Sequence, residues 1–375
     1  MGIEIREHAL GDDLQEFLDV VDYIYRDDPK YVRPLDMDLK QRVSRKNPFF
    51  EHAEGAFFTA HNNGFCVGRC TAQVDREHLA RHKDDVGFFG LIDTIDDEEV
   101  ARELLGAAGA WLKDRGMKRA RGPMSLSQNE EIGCLVDGFD MPPMILMPHH
   151  RPYQGGLIEK AGFAKIKDAY AWRYVVGDVP KRARRGYEEI ASLPEVTSRP
   201  MDKAKLDRDV RLVIDVYNDA WSENWGFVPM TEAELKKLAE DLKLIAMPEI
   251  TCITAIDGEP AAVALALPNL NELITDFGGR LFPTGVFKLL WRLKVKKPKS
   301  ARLLVLGVRQ KFRGQRKYAG LSSYLYTRLN EAGARCGLEW GELSWTLEDN
   351  APVNAGIRLM GGQIYKRYRI YEREL

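Results

Sequence analysis

The feature that most constrains this chain is a strand, a basic loop and a helix that follow one another over residues 302–325. Leu303–Leu306 and Val308 form an apolar run that is typical of a buried strand. The loop then carries five cations, Arg309, Lys311, Arg313, Arg316 and Lys317, and leucines at 321, 325 and 329 recur as in a helix. A helix start has unpaired N–H groups and the positive end of the helix dipole, so this unit can bind a pyrophosphate, with Gly314 and Gly320 giving the backbone room. A solvated basic loop before an ordinary surface helix fits the same pattern.

Residues 302–362 resemble the GNAT superfamily of acyl-CoA-dependent acyltransferases. Gly320 and Leu325 keep the spacing of the family's phosphate turn, with Lys317 in its Arg/Gln position and Ser322 in its last Gly/Ala position. The Arg313-Gly314 pair stands four residues earlier than in the family, which indicates a longer loop. The resemblance implies a CoA site formed by Leu306, Val308, Arg309, Arg313, Gly314, Gln315, Lys317, Tyr318, Ala319, Gly320, Leu321, Ser322 and Asn350.

The family pattern continues downstream. Residues 342–347 alternate as a strand, and Asn350 stands eleven residues before Gly361, as expected for the family's pantetheine-contacting Asn and its helix-ending Gly. Ile357 occupies the position where many members carry a tyrosine general acid. We expect Glu348, at the end of this strand, to be the general base, although an acidic residue there is also typical of a helix cap.

Composition limits the remaining possibilities. A chain of 375 residues predicts two domains, and a net charge of −1 gives no reason to expect nucleic-acid binding. The five cysteines are scattered, no signal peptide is evident, and no apolar run reaches the roughly 20 residues of a membrane span. We therefore expect reduced thiols, no metal site, and a cytoplasmic protein that is at most peripheral at the inner face of the membrane.

The first half resembles a second, degenerate GNAT copy. Its predicted order of elements is β-α-ββ-β-α-β-α-β, and Gly162-Phe163 matches the family's helix ending. Residues 94–97, Thr-Ile-Asp-Asp, are acidic and lack glycine, so they would repel a pyrophosphate. The predicted fold class is α+β, with two tandem GNAT-like domains, each a mixed, mostly antiparallel sheet flanked by helices. The predicted boundaries are 1–178, a linker at 179–193, and 194–375.

Two segments could bind the acceptor. Residues 122–150 form a long connection for a compact domain, and such loops are often functional. Candidate substrate contacts are Ser125, Ser127, Asn129 and Glu130 in this loop and Trp221, Asn224, Trp225 and Phe227 in a polar and aromatic turn. His149 and His150 are candidate catalytic bases, because a histidine pKa near 6.5 suits proton removal, but each also fits a hydrogen-bonded loop histidine.

Residues 281–299 combine apolar and basic side chains. Phe287, Leu290, Trp291 and Val295 fall on one helical face among several lysines and arginines. Such segments favour anionic membrane surfaces, and a buried helix with a basic end is equally consistent.

Taken together, these patterns resemble a bacterial tandem GNAT-like group that includes the bacterial ceramide synthases. The resemblance implies transfer of an acyl group, long-chain in one version, from acyl-CoA as cosubstrate to a small-molecule or lipid amine of the sphingoid type. The alternatives are an aminoacyl-tRNA-dependent transferase and a non-catalytic CoA- or lipid-binding protein.

Overall fold

The computed structural model describes residues 2–375, which divide into two compact units. Unit 1 contains the chain up to Ala169 together with Ile274–Arg292 and Lys366–Leu375. Unit 2 contains Tyr170–Leu273 and Leu293–Tyr365. Each unit has a mixed, mostly antiparallel sheet flanked by helices, which confirms the predicted fold class.

The first half of the chain forms the following helices and strands. They are β1 (Glu4–Ala9), α1 (Gln15–Ile24), α2 (Asp36–Arg42), β2 (Ala53–Asn62), β3 (Phe65–Asp75), α3 (Arg76–His82), β4 (Val86–Thr94), α4 (Glu98–Asp114), β5 (Arg119–Gly122), β6 (Met124–Ser125), β7 (Glu131–Ile132), β8 (Cys134–Asp137), α5 (Gln154–Lys160) and β9 (Ala164–Val175).

The second half of the chain forms the following helices and strands. They are α6 (Lys181–Ala191), β10 (Val196–Arg199), α7 (Leu206–Trp221), α8 (Glu232–Ile245), β11 (Thr251–Ile256), β12 (Glu259–Pro268), α9 (Asn271–Ile274), α10 (Gly285–Val295), β13 (Ser300–Val308), α11 (Leu321–Cys336), β14 (Trp340–Leu347), α12 (Ala351–Leu359) and β15 (Gln363–Glu374).

In unit 1 the strands follow the order β1-β2-β3-β4-β5-β15, and β8 also pairs with β15. All of these pairs are antiparallel except β4 with β5. The sixth strand is the C-terminal part of the chain, with Tyr371 opposite Gly122. The apolar face of α4, including Leu104 and Leu112, packs into the main core of this unit.

In unit 2 the strands follow the order β9-β14-β13-β12-β11-β10, and β13 with β14 is the parallel pair. Residues 181–191, within the predicted linker, form helix α6, whose Ala183 and Ile190 are buried. The basic residues Lys181, Arg182 and Arg185 of this helix are exposed, whereas Ile190 joins a core that includes Leu321 and Leu325 of α11.

Among residues 2–375, no helix is both long enough and apolar enough to cross a bilayer.

Candidate functional site

Strands β13 and β14 run side by side only at their beginnings. They pair from Ser300 with Trp340 to Leu303 with Leu343, although both strands continue for several residues beyond this point. On its other side β13 stays paired with β12 up to Val308, with an irregularity near Leu304. The strands therefore leave a gap between residues 304–308 and 344–347, which we call the β13–β14 gap.

The backbone of Leu306 faces this gap. Its carbonyl oxygen accepts the indole N–H of Trp221 at 3.4 Å, rather than a bond from β12. Because the N–H and C=O of one strand residue point to the same side, the Leu306 N–H faces the gap too, and so does that of Val308, two residues on. The Trp221 ring also meets the edge of Trp345, from the β14 side, with ring centroids 5.8 Å apart. Trp345 was not among the residues chosen from the sequence.

The first part of the loop after β13 is fixed to α7. Arg309 pairs with Asp215 and donates to the Pro260 carbonyl at 2.8 Å. Gln310 donates its backbone N–H to Asp219 at 2.7 Å and its amide to Ser222 at 2.8 Å. These contacts hold the start of the loop against the end of a helix.

Arg313 was predicted to contact phosphate, but in the structure its side chain binds carbonyl groups of the protein. Its guanidinium donates to the carbonyls of Val308, at 2.8 Å, and Ala220. The arginine thus closes the loop onto its own strand, and the guanidinium is engaged by protein carbonyls. Gly314, which follows, has φ +73° and open space around it.

The two lysines of the loop are exposed, and each pairs with a carboxylate at the surface. Lys311 pairs with Glu259, and Lys317 pairs with Glu195, holding the pKa of that carboxyl below its usual range. Lys311 and Lys317 are more than half exposed, so these pairs can be exchanged for another anion at little cost.

The start of α11 has no side-chain cap. Gly320 occupies the N-cap position, and the first intrahelical bond is Tyr324 N–H to the Gly320 carbonyl at 2.9 Å. The N–H groups of Leu321, Ser322 and Ser323 therefore precede the helical ladder. At the corresponding helix of unit 1, α4, the Asp97 carboxylate caps the N–H groups of Glu99 and Val100.

Gly320 was predicted to give a pyrophosphate room to approach, but in the structure it packs against helix α6. A Cβ at this position would lie 2.5 Å from the carbonyl oxygen of Gly186 and 3.0 Å from Ile190, both in α6. The room that glycine provides is therefore filled by a helix of the protein itself. Any diphosphate at α11 has to approach from another side.

Asn350 is the N-cap of α12, where its Oδ1 accepts the Val353 N–H at 3.4 Å. Its predicted contact with pantetheine would therefore have to come from the amide nitrogen. Glu348 is half-buried directly after β14. A buried network beside it, Trp172 to Thr346 at 2.8 Å and Thr346 to Asn354 at 2.7 Å, fixes the end of β14.

Ile357, at the family's tyrosine position, is buried with Tyr326, Trp172 and Met360. It thus fills the core of unit 2 and offers no proton.

A cavity of about 70 Å³ lies inside unit 2. Leu303 and Leu343, the last paired residues before the gap, are part of its wall. The other lining residues include Tyr174, Tyr326, Leu329, Asn330, Gly333, Glu342 and Met360. Asn330 accepts from Tyr174 at 2.9 Å, and Glu342 accepts from Ser344 at 2.5 Å and from Tyr365. These polar groups satisfy one another, so the cavity is mainly apolar.

Unit 1 has no comparable gap between its parallel strands. A Cβ on Gly90 of β4 would lie 1.8 Å from the carbonyl oxygen of Met124, and a Cβ on Gly122 would lie 2.2 Å from that of Phe89. Gln73 also donates to the Met124 carbonyl at 2.7 Å. The chain after β5 therefore closes directly on β4, in keeping with a degenerate copy.

His149 and His150 lie in unit 1 and are buried. Nε2 of His149 lies 2.9 Å from Asp28, and burial lowers its pKa. Nδ1 of His150 accepts the Leu135 N–H at 3.1 Å, and burial lowers the pKa of His150 to about 4. Its Nδ1 is thus used by the backbone and its ring is buried, which disfavours His150 as a base, and that role stays a prediction.

The remaining candidate residues fall into two groups. Ser125 and Ser127 are buried, and Glu130 pairs with Arg42 at 3.3 Å. Asn129 donates its N–H to the Ser127 hydroxyl at 3.2 Å. In unit 2, Phe227 is buried against Tyr217, while Asn224 and Trp225 are half-buried in the turn after α7.

One group of metal-ligand types occurs among residues 2–375, namely Glu16, His61 and Cys66, with ligand atoms within 4.8 Å of one another. The guanidinium of Arg6 lies 3.4 Å from Nε2 of His61. The same guanidinium lies 4.0 Å from the Glu16 carboxylate, so a cationic group of the protein already neighbours two of these three side chains, and we assign no metal role to the group.

Comparison with known proteins decides the family. The chain is 40% identical to "Bacterial ceramide synthase" of Caulobacter vibrioides over 97% of its length and 95% of the relative. It is 37% identical to "Protein YghO" of Escherichia coli over 99% of its length and 95% of the relative. The chain belongs to their family. No family model matches the sequence.

Solved structures of GNAT proteins share the fold of this chain. A tandem GNAT protein from the clavulanic acid biosynthesis pathway superposes with a TM-score of 0.59 at 13% identity, covering 99% of this chain and 98% of that one. A GCN5-related N-acetyltransferase from Sphaerobacter thermophilus gives 0.54 at 11% identity, covering 99% and 95%. The resemblance to tandem GNAT proteins predicted from the sequence is thus confirmed at the level of fold.

Proposed function

We propose that this protein is an N-acyltransferase that transfers an acyl group from acyl-CoA to the amine of a lipid acceptor. The observation that supports this most directly is the β13–β14 gap, which presents the Leu306 N–H beside the uncapped start of α11.

The donor fits the two halves of this site in different ways. An extended pantetheine arm can add to the free edge of β13, as peptides add to a sheet edge. The N–H groups of Leu321–Ser323 can bind a diphosphate with the help of the helix dipole. Arg316 and Lys317 supply positive charge once Lys317 leaves Glu195. Gly320 contributes by allowing α6 to support the helix start.

The chemistry is direct attack of the amine nitrogen on the thioester carbon. The carbonyl oxygen gains negative charge as the C–N bond forms, and the Leu306 N–H is available to stabilise it. Glu348 accepts a proton from the amine, the C–S bond breaks, and the thiolate of CoA leaves and takes a proton from water. The products are an amide and free CoA.

The cavity beside Leu303 and Leu343 suggests a long acyl chain. A chain that passes between β13 and β14 meets these residues where the ladder closes, and the cavity opens beside them. Compared with an engineered cavity of 150 Å³ that holds benzene, about 70 Å³ holds roughly three methylene groups. We therefore place the end of the acyl chain here.

The acceptor is suggested by the relative named bacterial ceramide synthase, which matches this chain along nearly its whole length. An amine of the sphingoid type would combine a nucleophilic nitrogen with a long apolar tail. Trp221 and Trp345 would line the acceptor side of the gap.

Two measurements test the proposal. CoA should raise the melting temperature of the purified protein, because a ligand that binds only the folded state stabilises it. Incubation with an acyl-CoA series and sphingoid bases should give N-acylated products detectable by mass. An Arg316→Ala/Lys317→Ala variant should lose most of the CoA shift.

The alternative functions make different predictions. A non-catalytic binding protein would be stabilised by CoA and give no product. An enzyme that uses aminoacyl-tRNA would show neither the CoA shift nor transfer from acyl-CoA. Either result would overturn the proposed reaction.

A further inference from the structure

Helix α10 exposes its apolar side chains instead of burying them. Phe287, Leu290 and Trp291 are 74, 55 and 60% exposed, and Lys294 follows them on the same face at helical spacing. We call these four residues the outer face of α10. Phe282, before the helix, is 70% exposed. No residue of α10 is buried.

The orientation of α10 is fixed by its charged residues. Lys288 and Arg292, one turn apart, both bind the carboxylate of Asp276, at 2.7 and 2.6 Å. Both cations also lie 5.4 Å from the centre of the Phe277 ring. The hydrogen bonds from Arg292 and Lys288 hold the pKa of Asp276 well below its usual range.

Apolar contacts support the same orientation. Leu289, on the inner side, packs against a cluster of Val32, Ile274 and Phe277. Rotation of the helix to bury Trp291 would separate Lys288 and Arg292 from Asp276 and withdraw Leu289 from that cluster. The outer face is therefore exposed because the residues on the other side of the helix already bind Asp276 and the apolar cluster.

The surroundings of the outer face carry positive charge that has no partner. Lys294, Lys296 and Lys297 are exposed, and no carboxylate among residues 2–375 forms an ion pair with them. Lys288 and Arg292 share the carboxylate of Asp276, whereas the three lysines without an ion pair lie at and just after the C-terminal end of the helix. A large apolar face next to such charge is complementary to a partner that has an apolar interior beneath an anionic surface.

We propose that the outer face of α10 binds the surface of an anionic lipid bilayer. Phe287, Leu290 and Trp291 enter the boundary between headgroups and acyl chains, while Lys294, Lys296 and Lys297 meet lipid phosphates. The helix, roughly 16 Å long, lies in the plane of the interface. This binding does not depend on the reaction proposed above, although it would bring the protein to the place where a lipid amine is found.

A vesicle-binding experiment with the full chain tests the inference. The protein should co-float with phosphatidylcholine vesicles that contain phosphatidylglycerol and bind much less to phosphatidylcholine alone. Raised salt should weaken binding, because the charges involved are exposed. Replacement of the three unpaired lysines by Gln should weaken binding by roughly 100-fold, since each contributes about a fivefold gain near an anionic surface.

The apolar contribution needs a separate variant and a matched control. Phe287→Ser/Trp291→Ser should abolish flotation and leave the melting temperature unchanged, because both side chains are exposed. Phe65→Ser, at an equally exposed phenylalanine in β3 that is 75% accessible, should bind like the wild type.

A second copy of the chain is the competing occupant of this face. Sedimentation velocity distinguishes the two: a dimer that Phe287→Ser/Trp291→Ser dissociates, without flotation of the wild type, would overturn the membrane inference. Equal flotation of wild type and that double variant would overturn it as well. Because the readout is binding, failure of the acyltransfer assay leaves this result intact.

Discussion

The α-carbon of Gly320 lies against the carbonyl oxygen of Gly186, so close that a Cβ at residue 320 would be 2.5 Å from that oxygen. Because this oxygen belongs to the backbone, it cannot move away from a new Cβ as the end of a flexible side chain could. The glycine that marks the phosphate turn in the sequence is therefore also a contact point between α6 and α11.

We predict that Gly320→Ala lowers the free energy of unfolding by about 1–3 kcal/mol, because α6 and α11 must separate. Urea unfolding measures this loss. Gly356→Ala in α12 is the control, since its Cβ would have its nearest neighbour at an ordinary 3.8 Å, and it should leave stability unchanged or raise it by up to about 1 kcal/mol. Similar stability of Gly320→Ala and wild type would show that the two helices can adjust.

The proposed base leads to a second prediction. Glu348→Gln keeps the size of the side chain and removes its ability to accept a proton, so kcat/KM for acyl transfer should fall by roughly 100-fold or more. Asp349→Asn, at the exposed neighbouring carboxylate, is the matched control and should retain activity. A pH profile of kcat/KM that is the same for Glu348→Gln and wild type would remove Glu348 from this role.

The cavity of unit 2 gives a prediction about acyl length. Gly333 lines the cavity, and a Cβ there would make only ordinary contacts, the nearest at 3.5 Å from Leu338. Gly333→Leu should fill much of the space and raise KM for the longest accepted acyl-CoA, with little effect on acetyl-CoA. Gly333→Ala should give a smaller shift in the same direction. Equal changes for short and long donors would place the acyl chain elsewhere.

Buried His150 makes stability depend on pH. The unfolded chain binds a proton on this residue below about pH 6.5, whereas the folded pKa is about 4, so the unfolded state holds more protons between these values. The free energy of unfolding should therefore fall as pH decreases from about 6.5 to 4, by up to about 3 kcal/mol from this residue. His149, whose pKa is also lowered by burial, acts in the same direction.

Urea unfolding at several pH values measures this effect. His150→Gln keeps an acceptor for the Leu135 N–H and should flatten the pH dependence, while His8→Gln, at a half-exposed strand position, should not. An unchanged slope in His150→Gln would show that other groups cause the acid sensitivity.

The fold was predictable where local pattern and motif agree. The apolar run that marks 303–308 as a strand also places the backbone groups of Leu306 and Val308 on one side, because strand residues alternate in direction, and that side faces the gap. The acidic residues 94–97 likewise predicted a helix start without a phosphate site, and Asp97 caps it. In both places neighbours in sequence supply the decisive interactions.

Other features depend on contacts between distant residues and could not be predicted in this way. His149 meets Asp28, and Gly320 meets Gly186, both across more than one hundred residues of chain. Arg313 looked like a phosphate ligand because its type fits, but its partners are carbonyls of Val308 and Ala220. A signal for Trp345 was present, since it is a large aromatic residue within the strand that leads to Glu348.

The pairing of β15 with β5 has a consequence for how the protein is made. The sheet of unit 1 takes its sixth strand from Lys366–Leu375, more than 240 residues after β5 in the chain. During translation the edge of β5 therefore stays uncovered until these residues have been synthesised. Deletion of Lys366–Leu375 alone should destabilise unit 1, although most of the strands of its sheet lie before residue 123.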